Sequence, residues 1–99
     1  VNYLERVAEH RRLTVLRFLA EMPEGRSNSS ILRDAAVELG VPSTRDQVRV
    51  DIAWLKEQGL VTAEELPSGL TVATITERGC DVARGAAFVP GVQRPTPRG

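Results

Sequence analysis

The chain reads as mainly α with a small β-hairpin (α+β), in the order helix, helix, helix, strand, strand, helix, with an irregular C-terminal tail. Three observations predict this. Before Gly59 the apolar residues recur at steps of three and four. After Gly59 the pattern turns extended, with two β-branched runs around Pro67-Ser68-Gly69. The last fourteen residues, with Pro90, Gly91, Pro95, Pro97 and Gly99, sustain no regular element. One domain over residues 1–85 and a Pro/Gly-rich tail over 86–99 are therefore expected.

The first helix is expected from Tyr3 to Met22, with Leu4, Val7, Ala8, Leu13, Leu16, Phe18, Leu19 and Ala20 as its apolar side. Pro23, Glu24 and Gly25 stop it, and Arg26 and Ser27 complete the loop. Asn28, Ser29 and Ser30 supply short acceptors for the first turn of a second helix, whose buried stripe is Ile31, Leu32, Ala35, Ala36 and Leu39. Gly40 takes the left-handed position after it, with Val41 as the apolar contact of the same closing motif. A third helix runs from about Thr44 to Gln58, with Val48, Ile52 and Leu55 on one face, and Gly59 ends it. Thr76 caps a short fourth helix carrying Cys80, Val82 and Ala83 and closing at Gly85. In the tail, Phe88, Val89 and Val92 are candidates for docking on the domain or on a neighbour.

Composition narrows the function classes. Over 99 residues, 13 Lys and Arg balance 13 Asp and Glu, so binding of phosphate backbones by bulk charge is excluded and any such contact must use a local patch. The zero is unevenly spread, for residues 59–75 hold Glu64 and Glu65 and no basic residue. No apolar run reaches membrane-spanning length, and Cys80, alone, forms no intrachain disulfide, which fits a reducing cytoplasm. No Gly-rich phosphate loop, Ser-His-Asp set or metal-ligand cluster appears, and His10 has no second ligand at metal spacing. Neither an enzyme, a cofactor nor a bound metal is expected.

The most specific stretch is Leu39-Gly40-Val41-Pro42-Ser43 followed by Gln47 to Val61. It resembles the bacterial repressor pattern in which a Gly-hydrophobic-Ser turn precedes a recognition helix with a Val-Arg-x-Asp-Leu core and a Leu-x-x-Gln-Gly-Leu-Val close. Thr74-Ile75-Thr76-Glu77-Arg78-Gly79 is similar to the strand-to-helix junction of ArsR-like and MarR-like regulators. Over residues 12–85 the chain thus resembles a winged helix-turn-helix. The whole chain further resembles a small family of winged-helix proteins of Mu-like phages and prophages, through Ala8 to Thr14, Asn28-Ser29-Ser30 and Val89 to Pro95. This resemblance implies a phage transcription regulator or accessory DNA-binding protein working in the cytoplasm of a bacterial host.

A helix fits the major groove of B-DNA, and residues near its N-terminus reach base edges. With Val48, Ile52 and Leu55 inward, Arg45, Gln47 and Arg49 are the candidate base readers, because Arg pairs bidentately with guanine and Gln with adenine. Ser43 and Thr44, together with Arg11 and Arg12 of the first helix, are the candidate phosphate contacts. The alternative for Arg45 and Arg49 is a solvated face paired with Asp46 or Asp51. Trp54 is expected to pack beneath the hairpin or in a dimer contact. Double-stranded DNA is the expected partner. A homodimer is expected to read two half-sites, pairing through the first helix and Val82 to Val92. The acidic hairpin speaks for the rival function, a winged helix that binds protein as an anti-repressor or a polymerase- or assembly-binding factor.

Overall fold

The computed structural model of the chain describes residues 2–95. Its elements are α1 (Tyr3–Glu21), a short 3-10 turn (Pro23–Gly25), β1 (Arg26–Asn28), α2 (Ser29–Glu38), α3 (Arg45–Glu57), β2 (Val61–Glu65), β3 (Thr71–Ile75) and α4 (Glu77–Arg84). Each helix begins on a side chain that accepts from an amide its own first turn leaves orphaned. Asn2 accepts from Glu5, Asn28 from Ile31, Thr44 from Gln47 and Thr76 from Gly79. α2 closes as its sequence predicts: the Val41 N–H donates to the Ala36 carbonyl and the Gly40 N–H to that of Val37, with Gly40 at φ 89°. The same pair of bonds, Leu60 to Leu55 and Gly59 to Lys56, closes α3.

β2 and β3 form the expected hairpin, in register from Val61↔Ile75 to Glu65↔Thr71. Arg26–Asn28, of which Arg26 and Ser27 read as loop and Asn28 as the start of a helix, is a third strand on the other edge of β3, so the antiparallel sheet has the order β1-β3-β2. Arg-Ser-Asn has no β-branched residue, and only the open edge of β3 makes it a strand. The buried Ser29 hydroxyl accepts the Thr71 N–H at 3.1 Å and fixes the place where this strand becomes α2.

One apolar core joins all the helices and the sheet, with Leu13, Leu16, Leu19, Leu32, Val48, Ile52, Leu55, Leu60 and Val82 inside it. Two residues of the expected α2 stripe lie outside it. Ile31 and Leu39 are exposed, because the arc of this short helix that meets its neighbours is filled by Leu32, Ala35 and Ala36, and Leu39 is already the C-cap. Leu4 and Ala20 on α1 are likewise exposed.

The irregular segment after α4 packs on the domain. Val89 and Val92 are buried in the same core, and the Gln93 N–H donates to the Glu9 carbonyl of α1. Val82, Val89 and Val92 thus lie inside their own protomer, and of the apolar side chains expected to pair two copies in this stretch, Phe88 stays outside. Trp54 packs against this segment, not beneath the hairpin. Gly91, at φ 104°, brings its backbone so close that a Cβ there would lie 2.6 Å from the indole ring.

α4 approaches the end of α3 equally closely. A Cβ on Gly79 would lie 2.2 Å from the Leu60 carbonyl oxygen, which already accepts the Thr76 N–H. Gly79→Ala is therefore expected to cost about 3 kcal/mol, since backbone must move. Gly40→Ala meets nothing within 4 Å and is strained only by its positive φ, so its cost is about 1 kcal/mol. Urea unfolding followed by circular dichroism checks both values and their order.

Candidate nucleic-acid interface

α3 starts on a reciprocal cap. The Thr44 hydroxyl accepts the Gln47 N–H at 3.1 Å, and the Gln47 side-chain oxygen accepts the Thr44 N–H at 2.9 Å. The first turn is held in place, but the oxygen that Gln47 would use in a bidentate pairing with adenine already serves its own helix. Beyond this turn, burial follows the helical repeat, with Val48, Asp51, Ile52 and Leu55 inward.

The exposed side of α3 has two unlike edges. Arg45, Arg49 and Lys56, at i, i+4 and i+11, fall within about 40° of one another on the helical wheel, and all three are exposed. Arg49 and Lys56 border a cleft of about 140 Å³ toward the hairpin, with Ala63, Glu65 and Thr71 on its other wall. On the second edge, Asp46 and Val50 overlook a larger groove of about 730 Å³, lined across from them by Tyr3, Leu4 and Val7 of α1. The structure thus places Arg45 and Arg49 on one outward arc, as their spacing against Val48, Ile52 and Leu55 predicts. It adds Lys56, which the same spacing would have shown.

The four candidate phosphate contacts all border the groove between α1 and α3, but three of them are engaged within the protein. Arg11 is 4% exposed and Ser43 7%. The Arg11 Nε donates to Ser43 Oγ at 2.8 Å, its Nη1 to Asp51 Oδ2 at 2.8 Å and its Nη2 to the Pro42 carbonyl at 3.4 Å. Ser43 Oγ in turn donates to the Val41 carbonyl at 2.9 Å. Arg12 donates from Nε to Asp51 Oδ1 at 3.0 Å and from Nη1 to the Gly91 carbonyl at 2.8 Å, and its guanidinium lies 4.2 Å from the centre of the Trp54 ring. Arg11, Arg12 and Ser43 are therefore internal ties, and the expectation that they clamp phosphate is corrected. Of the four, Thr44 alone is exposed.

Asp51, 2% exposed, is the residue that the sequence reading missed. The signal was present: it occupies the arc of Val48, Ile52 and Leu55, and a carboxylate in a core arc demands cationic partners. Both guanidiniums come from α1, so the pairing of Asp51 with Arg45 or Arg49 does not occur.

No sequence-family profile matches the chain. It is 49% identical over 92 residues to the uncharacterized protein gp26 of Escherichia phage Mu, covering 93% of this chain and 94% of that protein. It is 41% identical over 78 residues to an uncharacterized protein of Haemophilus influenzae, covering 79% of this chain and 76% of that one. Among solved structures it is similar to Sco3205, a MarR family transcriptional regulator from Streptomyces coelicolor in complex with DNA, at a TM-score of 0.64 and 30% identity. That likeness covers 82% of this chain, which spans half the length of the regulator. The shared fold is the winged helix, with α3 following the turn and β2 and β3 as the wing.

The network predicts an asymmetry between neighbouring α3 residues. Asp51→Ala leaves two guanidiniums without their counter-charge and is expected to cost about 3–5 kcal/mol. Arg49→Ala, two residues away on the exposed arc, is expected to stay within about 0.5 kcal/mol of the parent. Chemical denaturation of the two variants measures the difference.

Proposed function

Since the chain belongs to the same family as gp26 of phage Mu, we propose that it is a phage-type DNA-binding transcriptional regulator that reads the major groove with α3. The observation that carries this reading is the exposed basic arc of a capped helix, in a fold shared with a regulator solved in complex with DNA. Among the described residues, no hydrogen bond or ion pair within the protein engages the side chains of Arg45 and Arg49, so both guanidinium forks are open to guanine edges. Gln47 contributes through its side-chain NH2, and Thr44 lies at the helix N-terminus where a phosphate would sit. The protein works in the bacterial cytoplasm as a homodimer, because one α3 reads only a few base pairs and two half-sites lie about 34 Å apart along the duplex.

A second reading is favoured by a specific feature, the groove between α1 and α3. Tyr3, Leu4 and Val50 are exposed there, and the wing, on the other edge of α3, carries only negative charge. On this reading the domain binds a protein and not DNA.

Binding of the purified chain to fragments of the phage genome across a salt series separates the two. The DNA reading expects a fragment bound well above the rest, with log affinity falling linearly against log salt. Arg45→Ala and Arg49→Ala are each expected to weaken that complex by about 1–3 kcal/mol. Absence of binding to every fragment at low salt sinks this reading in favour of the protein-binding one.

A further inference from the structure

The wing is the feature that fits the DNA reading least, and its geometry gives it a role. Strand alternation places Val61, Ala63 and Glu65 on one face of β2, and Thr62 and Glu64 on the other. Val61 is buried and Ala63 half-buried against the domain, so Glu65 belongs to the face turned toward α3. It shares the cleft of about 140 Å³ with Arg49 and Lys56. Glu64, on the opposite face, does not line that cleft. Among the described residues, Glu65 forms no ion pair with either cation. The carboxylate acts across the cleft through its field, while both cations stay open to an incoming ligand.

A phosphate approaching Arg49 or Lys56 from the wing side must enter that field. Because the repulsion is the same for every sequence, it lowers affinity for any backbone and leaves hydrogen bonds to base edges untouched. We infer that Glu65 sets a low ceiling on sequence-independent affinity: it guards the cleft between α3 and the wing against phosphate, so that the domain binds arbitrary DNA weakly and depends on base contacts from α3. This rests on the DNA reading above. It gives the acidic wing a function within that reading.

The test uses the full chain and its variants Glu65→Gln, Glu64→Gln, Lys56→Gln and the double variant Lys56→Gln/Glu65→Gln. Each is titrated with a random-sequence duplex across a salt series, and thermal melting verifies the fold. Glu65→Gln is expected to tighten binding about threefold to tenfold at low salt, with the gain fading as the Debye length shrinks. The slope of log affinity against log salt is expected to steepen by up to ~0.9, the signature of one more phosphate contact. Glu64→Gln should gain clearly less, and the gain from Glu65→Gln should fall by half or more when Lys56 is already Gln. An unchanged affinity for Glu65→Gln, an equal gain for Glu64→Gln, or a gain independent of Lys56 each overturns the guard role while the DNA reading stands. If no form of the protein binds either this duplex or the genome fragments, the DNA reading falls and the guard role with it.

Discussion

The Asp51 carboxylate lies in the core arc of α3 with Arg11 on one oxygen and Arg12 on the other. A buried ion triad of this kind contributes little net stability over apolar side chains of the same volume, because desolvation offsets the attraction. What it does supply is orientation. Rolling α3 by one residue, about 100°, so that Asp51 takes the place of Val50 would expose the carboxylate and leave both arginines uncompensated. The roll of the helix, and so the identity of every side chain on its outer surface, is tied to α1. The same guanidiniums reach further: Arg11 holds the turn before α3 through Ser43 and Pro42, and Arg12 holds the tail through Gly91 and Trp54. α1, the turn, α3 and the tail are therefore positioned by one connected set of charge-assisted bonds.

Much of this fold is legible in the residues because the signals are local. The caps at Asn28, Thr44 and Thr76, the closing glycines at 40, 59 and 85, and the hairpin around Pro67-Ser68-Gly69 each depend on a few neighbours in the chain. What escapes is set by distant partners. β1 exists because β3 offers it an edge, and nothing in Arg26-Ser27-Asn28 announces it. Val89 and Val92 of the irregular tail read as docking residues, but that they enter this domain's own core and not a neighbour's surface depends on where α1 and Trp54 stand. Ile31 and Leu39 follow the apolar period of α2, but too few elements surround that helix to cover both.

The site follows the same division. Arg45 and Arg49 reach the outer arc because the inward positions of α3 are apolar and leave them no other place, and spacing alone conveys that. Arg11 and Arg12 look equally available in the sequence, as a basic pair in a polar stretch of α1. Their burial follows from Asp51, forty residues along the chain from Arg11 and thirty-nine from Arg12. Ser43 is drawn inward with them. Gln47 is a more instructive case, since Thr44 and Gln47 have the spacing of a capping box and also that of a base reader beside a phosphate contact. Local geometry is satisfied before any ligand arrives, and the capping bond takes the side-chain oxygen.

The burial of Asp51 also changes what the charge balance means. Counted along the chain, residues 43–58 are neutral. Asp51 does not act on the surface of α3, because it is buried and compensated by α1. What the helix shows to solvent is Arg45, Arg49 and Lys56 on one arc, and Asp46 and Glu57 displaced by roughly a quarter turn. An α3 that is neutral in sequence is therefore net positive toward anything that approaches it. Other arginines are exposed but have partners on the protein surface: Arg33 bonds Asp34 and the Ser43 carbonyl, Arg78 bonds the Gln58 carbonyl, Arg84 bonds Asp81 and Arg94 stacks on Phe88. Guanidinium serves both purposes, forked ties inside the protein and forked readers outside it. Twelve arginines in 99 residues are thus no measure of affinity for phosphate, and the basic arc of α3 owes its availability to the acid that α1 neutralises beneath it.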